Sequence, residues 1–294
     1  MESNNRNQQD SDSRQLLDGI ILLIANYSKA IGRIGEIPIT HQALELRKDI
    51  VKPYMIMMYG KAMTAYRLLN GYSLEDLHPK AFGVSNDSFT LYDVVRALYE
   101  CFLQASFFIE RTQTPGEIPY MASWWHCRVF SERSILAVNR AISNAQTQRE
   151  LEFIKEHVRI IDQNHLTTKV ADIASFGKDK ISGLAHWPKP SKLINIAGIS
   201  KNKHEFIYKF NSIYAHCEPL SILQVGETAK SGEMDINGPI ILHGKYILHL
   251  MASGLQKFAM VFTEVDEMIS KDIPLKELIK ASENFWSEDR QQGT

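Results

Sequence analysis

Apolar residues return at helical spacing from one end of this chain to the other, and that recurrence restricts its fold more than any other feature. The clearest instance is residues 88–111, SFTLYDVVRALYECFLQASFFIER. There Leu91, Val94, Val95, Leu98, Phe102, Ala105, Phe108 and Ile109 form one continuous stripe. A helix with so wide an apolar face is stable only when that face is buried against other elements. The same spacing predicts helices over 14–34, 40–70, 120–143, 146–164, 191–197, 202–218, 240–269 and 275–286. Thr40, Ser191 and Asn202 are the candidate N-caps. Pro53 implies a kink near Val51, and Pro219 a stop, because proline lacks the N–H that continues the helical ladder. No strand–helix–strand alternation is found and hardly any convincing strand: residues 168–173 read as either helix or a short strand, and the irregular segment after Pro219 has room for one hairpin. The expectation is an all-α, multi-helix bundle of about seven to eight helices, with one long irregular segment over 219–239.

With 294 residues, 44% hydrophobic and 23% charged, the chain has enough apolar material for one large core. No internal repeat divides it, so residues 14–289 are expected to form a single helical domain. Residues 1–13, rich in Asn, Gln, Ser and Asp, are expected to be disordered, and 290–294 a frayed tail. The formal charge of −1 supplies no global attraction to nucleic acid or to an anionic membrane. Cys101, Cys127 and Cys217 are odd in number and far apart, with no CxxC pair, which points to a reducing compartment. No leader pattern and no membrane-length apolar run is present. Together these predict a cytoplasmic protein with no membrane partner.

Several motifs exclude chemistry. No phosphate-binding glycine loop, GxSxG elbow or HExxH helix occurs. Glu75 to His78 has the Glu-x-x-His spacing of di-iron bundles, but such sites need a second copy and further carboxylates. It falls in a Pro- and Gly-containing stretch, 74–87, that reads as a loop. His243 and His249 lie about 240° apart around a helix and do not face one metal. The methionine-rich run 54–63 reads as adaptable core filler. No cofactor and no metal is expected.

Three arrangements remain as candidate sites. Arg96 and Glu100 are i, i+4 neighbours: either an ion pair contributing roughly 0.3–0.5 kcal/mol, or the flank of a pocket with Arg96 aimed at an anion. In the helix over 204–218, Phe206, Ile207, Phe210, Ile213 and Tyr214 form the apolar face, while His216, Cys217 and Glu218 occupy the last turn. A histidine there is favoured as the cation by the helix dipole. Tyr214, His216, Glu218 and Ser221 could hold or deprotonate a ligand, with His216 as acid or base and Glu218 setting its charge. Equally, His216 could simply cap the final carbonyls. Third, Arg159 and His165 resemble the Rx4–6H motif of HEPN-domain ribonucleases, which are helical bundles. That resemblance implies Arg159 on phosphate charge and His165 on the proton. Lys209 and His216 have a comparable separation, but lysine cannot make the planar bidentate contact of arginine.

Three segments taken together, RALYECFLQASFFIE, HWPKPSKLINIAGIS and FIYKFNSIYAHCEPLS, resemble the bacterial domain-of-unknown-function 5677 family. Its members carry Arg-x-x-x-Glu and, later, Tyr-x-x-x-Ser/Thr-x-x-x-His. Arg96 and Glu100 match the first, Tyr208, Ser212 and His216 the second, and Ser221 lies near a small hydroxyl position after the histidine. The resemblance covers roughly residues 45–260; the segment with Trp124, Trp125, His126 and Cys127 has no counterpart in the pattern. It implies a helical fold and these positions, without an established activity. Spacing by four aligns Tyr208, Ser212 and His216 on one helix face. Two functional expectations follow. One is a ligand-binding or protein-interaction domain organised by a buried Arg/Glu/Tyr/Ser/His cluster between helices, its partner another protein or a second copy of the chain. The other is a metal-independent ribonuclease or phosphodiesterase acting on RNA.

Overall fold

The computed structural model describes residues 2–73, 84–85, 88–113, 115–137, 144–164, 175–176, 185–215, 223 and 237–287. The fold is all-α, as the periodicity predicts, with more helices than seven to eight among the described residues. Residues 88–111 become α4 (Ser88–Arg111), and every member of the predicted stripe is no more than 8% exposed. Tyr99, Cys101, Leu103 and Phe107 are buried as well, so α4 is covered on most of its circumference. Four helices do most of the covering: α3 (Lys52–Asn70), α7 (Pro190–Ala197), α8 (Lys201–Ala215) and α9 (Asn237–Ala259). Outside α3 and α9 lies α1 (Glu2–Glu36), which buries Ile20, Leu23, Tyr27, Ala30 and Ile34 completely. The remaining described helices are α2 (Gln42–Leu46), α5 (Ile118–Ala137), α6 (Asn144–Asn164), α10 (Thr263–Lys271) and α11 (Ile273–Ser287). No described helix is long and apolar enough to cross a membrane.

The boundaries follow local chemistry, with several corrections. Residues 2–13, expected to be disordered, continue α1 to Glu2. No proline or glycine interrupts them before Gly19, and a helix nucleated by the packed turns beyond Leu16 extends at little cost per residue. The kink at Pro53 is a π-turn, Arg47–Val51, between α2 and α3. A wider turn accommodates the missing N–H of proline without forcing its ring into the preceding carbonyl. His41, not Thr40, caps α2: its Nδ1 accepts from the Leu44 N–H at 3.2 Å. Ser200, not Asn202, caps α8, accepting from the Lys203 N–H at 3.3 Å. In α7 the proline Pro190 takes the first turn after Lys189, so Ser191 is not the cap; Gly198 ends it with φ 78°, a conformation glycine adopts without strain.

The predicted helix over 240–269 is two helices. Phe262 is extended (φ −127°, ψ 107°), and Val261 and Phe262 are both buried. A continuous helix would point those two neighbours about 100° apart; breaking it lets both reach the core. The methionine run is only half core. Met55 and Met58 are fully buried, whereas Ile56 and Met57 are 45% and 49% exposed. Two short antiparallel ladders, β1 (Tyr72–Ser73) with β2 (Val84–Ser85) and β3 (Ser175–Phe176) with β4 (Ala185–His186), pair two residues each. Glu75 and His78 lie outside the described residues, as does almost all of 219–239.

Candidate functional site: the seam between α4 and α8

Amphipathic helices α4 and α8 pack together, and at their junction the chain places five polar or aromatic side chains in a line. Arg96 Nε donates to Glu100 Oε1 at 3.2 Å, the i, i+4 pair expected from spacing. Its Nη2 donates across the seam to the Tyr208 hydroxyl at 3.3 Å, and the guanidinium carbon lies 4.8 Å from the centre of the Tyr208 ring. One turn back on α8, the His204 ring stacks on Tyr208 at 5.6 Å. His204 Nδ1 then meets the Tyr99 hydroxyl at 2.7 Å. Burial raises the Tyr99 phenol well above its ordinary value and lowers His204, with Glu205 opposing and Lys209 reinforcing the second effect. Both shifts favour a protonated phenol donating to a neutral imidazole.

The seam therefore brings together Arg96, Glu100 and Tyr208, three of the expected residues, but not as a buried cluster. The Arg96 and Glu100 side chains are 19% and 42% exposed and Tyr208 is 38% exposed, because the line sits where the interface opens to solvent. Ser212 does not join: its hydroxyl donates to the Tyr208 carbonyl one turn back. His216, Glu218 and Ser221 lie outside the described residues, and Cys217 with them. Tyr99 and His204 were missed by the sequence reading. His204 sits four residues before Tyr208 on the face already traced by Tyr208 and Ser212, so extending that row one turn would have found it.

Tyr214 belongs to a different knot, deeper in the molecule. It stacks face to face on Tyr92 at 3.8 Å, and Tyr92 meets His243 edge-on at 4.4 Å. His243 Nε2 pairs with Asn211 Oδ1 at 3.1 Å, both residues 1% exposed, and Asn211 Nδ2 donates to the Ile207 carbonyl at 2.7 Å. A polar pair pressed into an apolar interior is thus present, built from Asn211, which spacing did not single out, and His243, which spacing weighed only as a metal ligand. His249 turns elsewhere, its Nδ1 on Ser282 Oγ at 2.9 Å and its ring on Phe285 at 4.0 Å. Burial, then Lys203 and Lys245, lower its pKa to about 4. Between α5 and α6, His126 and His157 stack at 4.6 Å, with His157 Nδ1 at 3.1 Å from Ser123 Oγ. Burial first, then the neighbouring His126, lower His157 to about 4.

Arg159, half of the nuclease pair, is on the outer face of α6, where it makes a two-pronged ion pair with Glu156 at 2.7 and 3.1 Å. With Lys155, Val158, Asp162 and Gln163 it lines an open groove of about 430 Å³. His165 lies outside the described residues.

No family model matches this sequence, and no curated protein or solved structure matches it either.

Proposed function

We propose that this chain is a helical binding domain, taking a ligand or a protein partner (a second copy included), in which the α4–α8 seam sets the register of two helices and performs no turnover. The observation that carries this reading is that the seam's reactive groups satisfy one another. The Arg96 guanidinium donates to a carboxylate and a phenol, and the His204 imidazole is held by the Tyr99 hydroxyl. A catalytic site needs a nucleophile beside a base, or a cation directed at developing charge. At this seam the nearby Ser212 hydroxyl is turned to its own backbone instead. Kinship with the domain-of-unknown-function 5677 family is part of the proposal, supported by Arg96, Glu100, Tyr208 and Ser212 at the family's intervals. Cytoplasmic residence is a further part, supported by Cys101 and Cys127, which are buried free thiols.

The competing reading, a metal-independent ribonuclease, draws on the groove beside Arg159. A direct experiment separates the two. Purified protein is incubated with labelled RNA pools without metal, alongside Arg159→Ala, His165→Ala, His216→Ala and Arg96→Ala variants. The binding reading expects no cleavage beyond buffer. Cleavage by the wild type that disappears in one of these folded variants overturns it and identifies the catalytic group.

A further inference from the structure

Away from the seam, α7, α9 and α11 enclose a cleft of about 310 Å³, lined by Ala197, Gly198, Ser253, Gln256, Lys257, Met260, Glu283 and Trp286. This is the size range of small-molecule sites, which combine apolar walls with a few placed polar groups. Its geometry is written into two helices. Ser253, Gln256 and Lys257 are spaced i, i+3, i+4 and share one face of α9, with Met260 in the turn that follows its last residue, while Glu283 and Trp286 are spaced i, i+3 on α11. We infer that this cleft binds a small zwitterion of the α-amino-acid class, its carboxylate on Lys257 and Ser253 and its ammonium on Glu283.

The polar groups are held in place but not exhausted. Lys257 Nζ donates to the Ile196 carbonyl at 3.2 Å, and an ammonium carries three donors, so two remain for a ligand. Trp286 Nε1 donates to Ser253 Oγ at 2.9 Å, which leaves the serine proton to donate into the cleft. Gln256 donates to one carboxylate oxygen of Glu283 and so steadies it, leaving the other oxygen as an acceptor. Trp286, 4% exposed, and Met260, 48% exposed, supply the apolar wall against which a side chain packs.

Charge selects the class. The cleft holds one cationic and one anionic side chain, and burial already works against the Lys257 ammonium, with Glu110 opposing that effect. A cation would strip water from the half-buried Lys257 ammonium without replacing it, which is costly, and an anion would forgo the Glu283 carboxylate, which is exposed and still hydrated. A zwitterion satisfies both. None of these residues belongs to the α4–α8 seam, so the inference stands whether or not the seam has the role proposed for it.

Isothermal titration of the full chain with L-leucine, N-acetyl-L-leucine and L-leucinamide tests it, since the three share a skeleton and differ in charge. The expected result is saturable binding of leucine, with both blocked forms weaker by about tenfold or more, the loss of one charge-assisted hydrogen bond. Glu283→Gln is nearly isosteric and exposed, so it should fold and weaken leucine to the same degree while leaving N-acetyl-leucine unchanged. Lys257→Met, its folding checked by circular dichroism, should weaken leucine likewise while leaving L-leucinamide unchanged. No heat from leucine at millimolar concentration, equal binding of all three probes, or undiminished binding by Glu283→Gln overturns the inference.

Discussion

The Tyr99–His204 contact and the Arg96–Tyr208 contact cross the same seam, but burial gives them different weights. Tyr99 is fully buried, so its hydroxyl must find a partner inside the fold, and the 2.7 Å contact with His204 provides one. Tyr99→Phe keeps the ring and strands the imidazole nitrogen; urea unfolding should show a loss of about 1 kcal/mol. Tyr208→Phe removes a hydroxyl that solvent can replace, and should cost less than about 0.5 kcal/mol. Equal losses from the two variants would mean that burial does not grade this seam. Arg96 and Glu100 were legible because an i, i+4 pair is set within one helix. Tyr208 was legible as a position but not as a partner, since which face of α8 turns to Arg96 depends on how the two helices cross.

At the scale of elements, α1, α3 and α9 meet around one close approach. The Tyr27 hydroxyl, on a fully buried side chain, donates to the Met251 carbonyl at 3.1 Å and lies beside Met58. That fit depends on Gly254: a Cβ there would overlap the Tyr27 oxygen and stand 2.7 Å from Met58 Cε. Gly254→Ala gains helix propensity on an isolated helix, yet here it should destabilise by about 1–3 kcal/mol, as overpacked cores do. Thermal unfolding decides the sign, and a stabilised variant would show that the three helices yield. The stripe on α4 and the bend at Pro53 were readable because each acts within a few residues. The break at 260–262 was not, because it contains neither proline nor glycine and arises from burying Val261 and Phe262 together.

Across the whole molecule, half-buried histidines tie stability to pH. His157 and His249 both have folded values of about 4, below the roughly 6.5 of an unfolded chain. Between those limits the unfolded chain binds more protons than the folded one, so stability falls as pH drops from about 6.5 to 4 and the dependence flattens below that. Exposed, ion-paired Glu156 and Glu205 have carboxyls held below their ordinary value, so their contributions are lost only at lower pH. The midpoint of thermal unfolding should therefore decline across the histidine window. His249→Gln, which keeps a hydrogen-bonding group near Ser282 but cannot titrate, should shallow that decline. An unchanged slope would remove His249 from the account.

The sequence by itself determined that this chain is helical and which faces of its helices are apolar, because both are properties of residues three or four positions apart. It also placed Arg96 beside Glu100 for the same reason. Only the tertiary structure decided that Tyr208 and His204 complete the seam, that Asn211 meets His243 in the interior, and that α7, α9 and α11 enclose a cleft around Lys257 and Glu283. Those pairings depend on the rotation and crossing of whole helices, which are settled by how buried side chains interlock across the core.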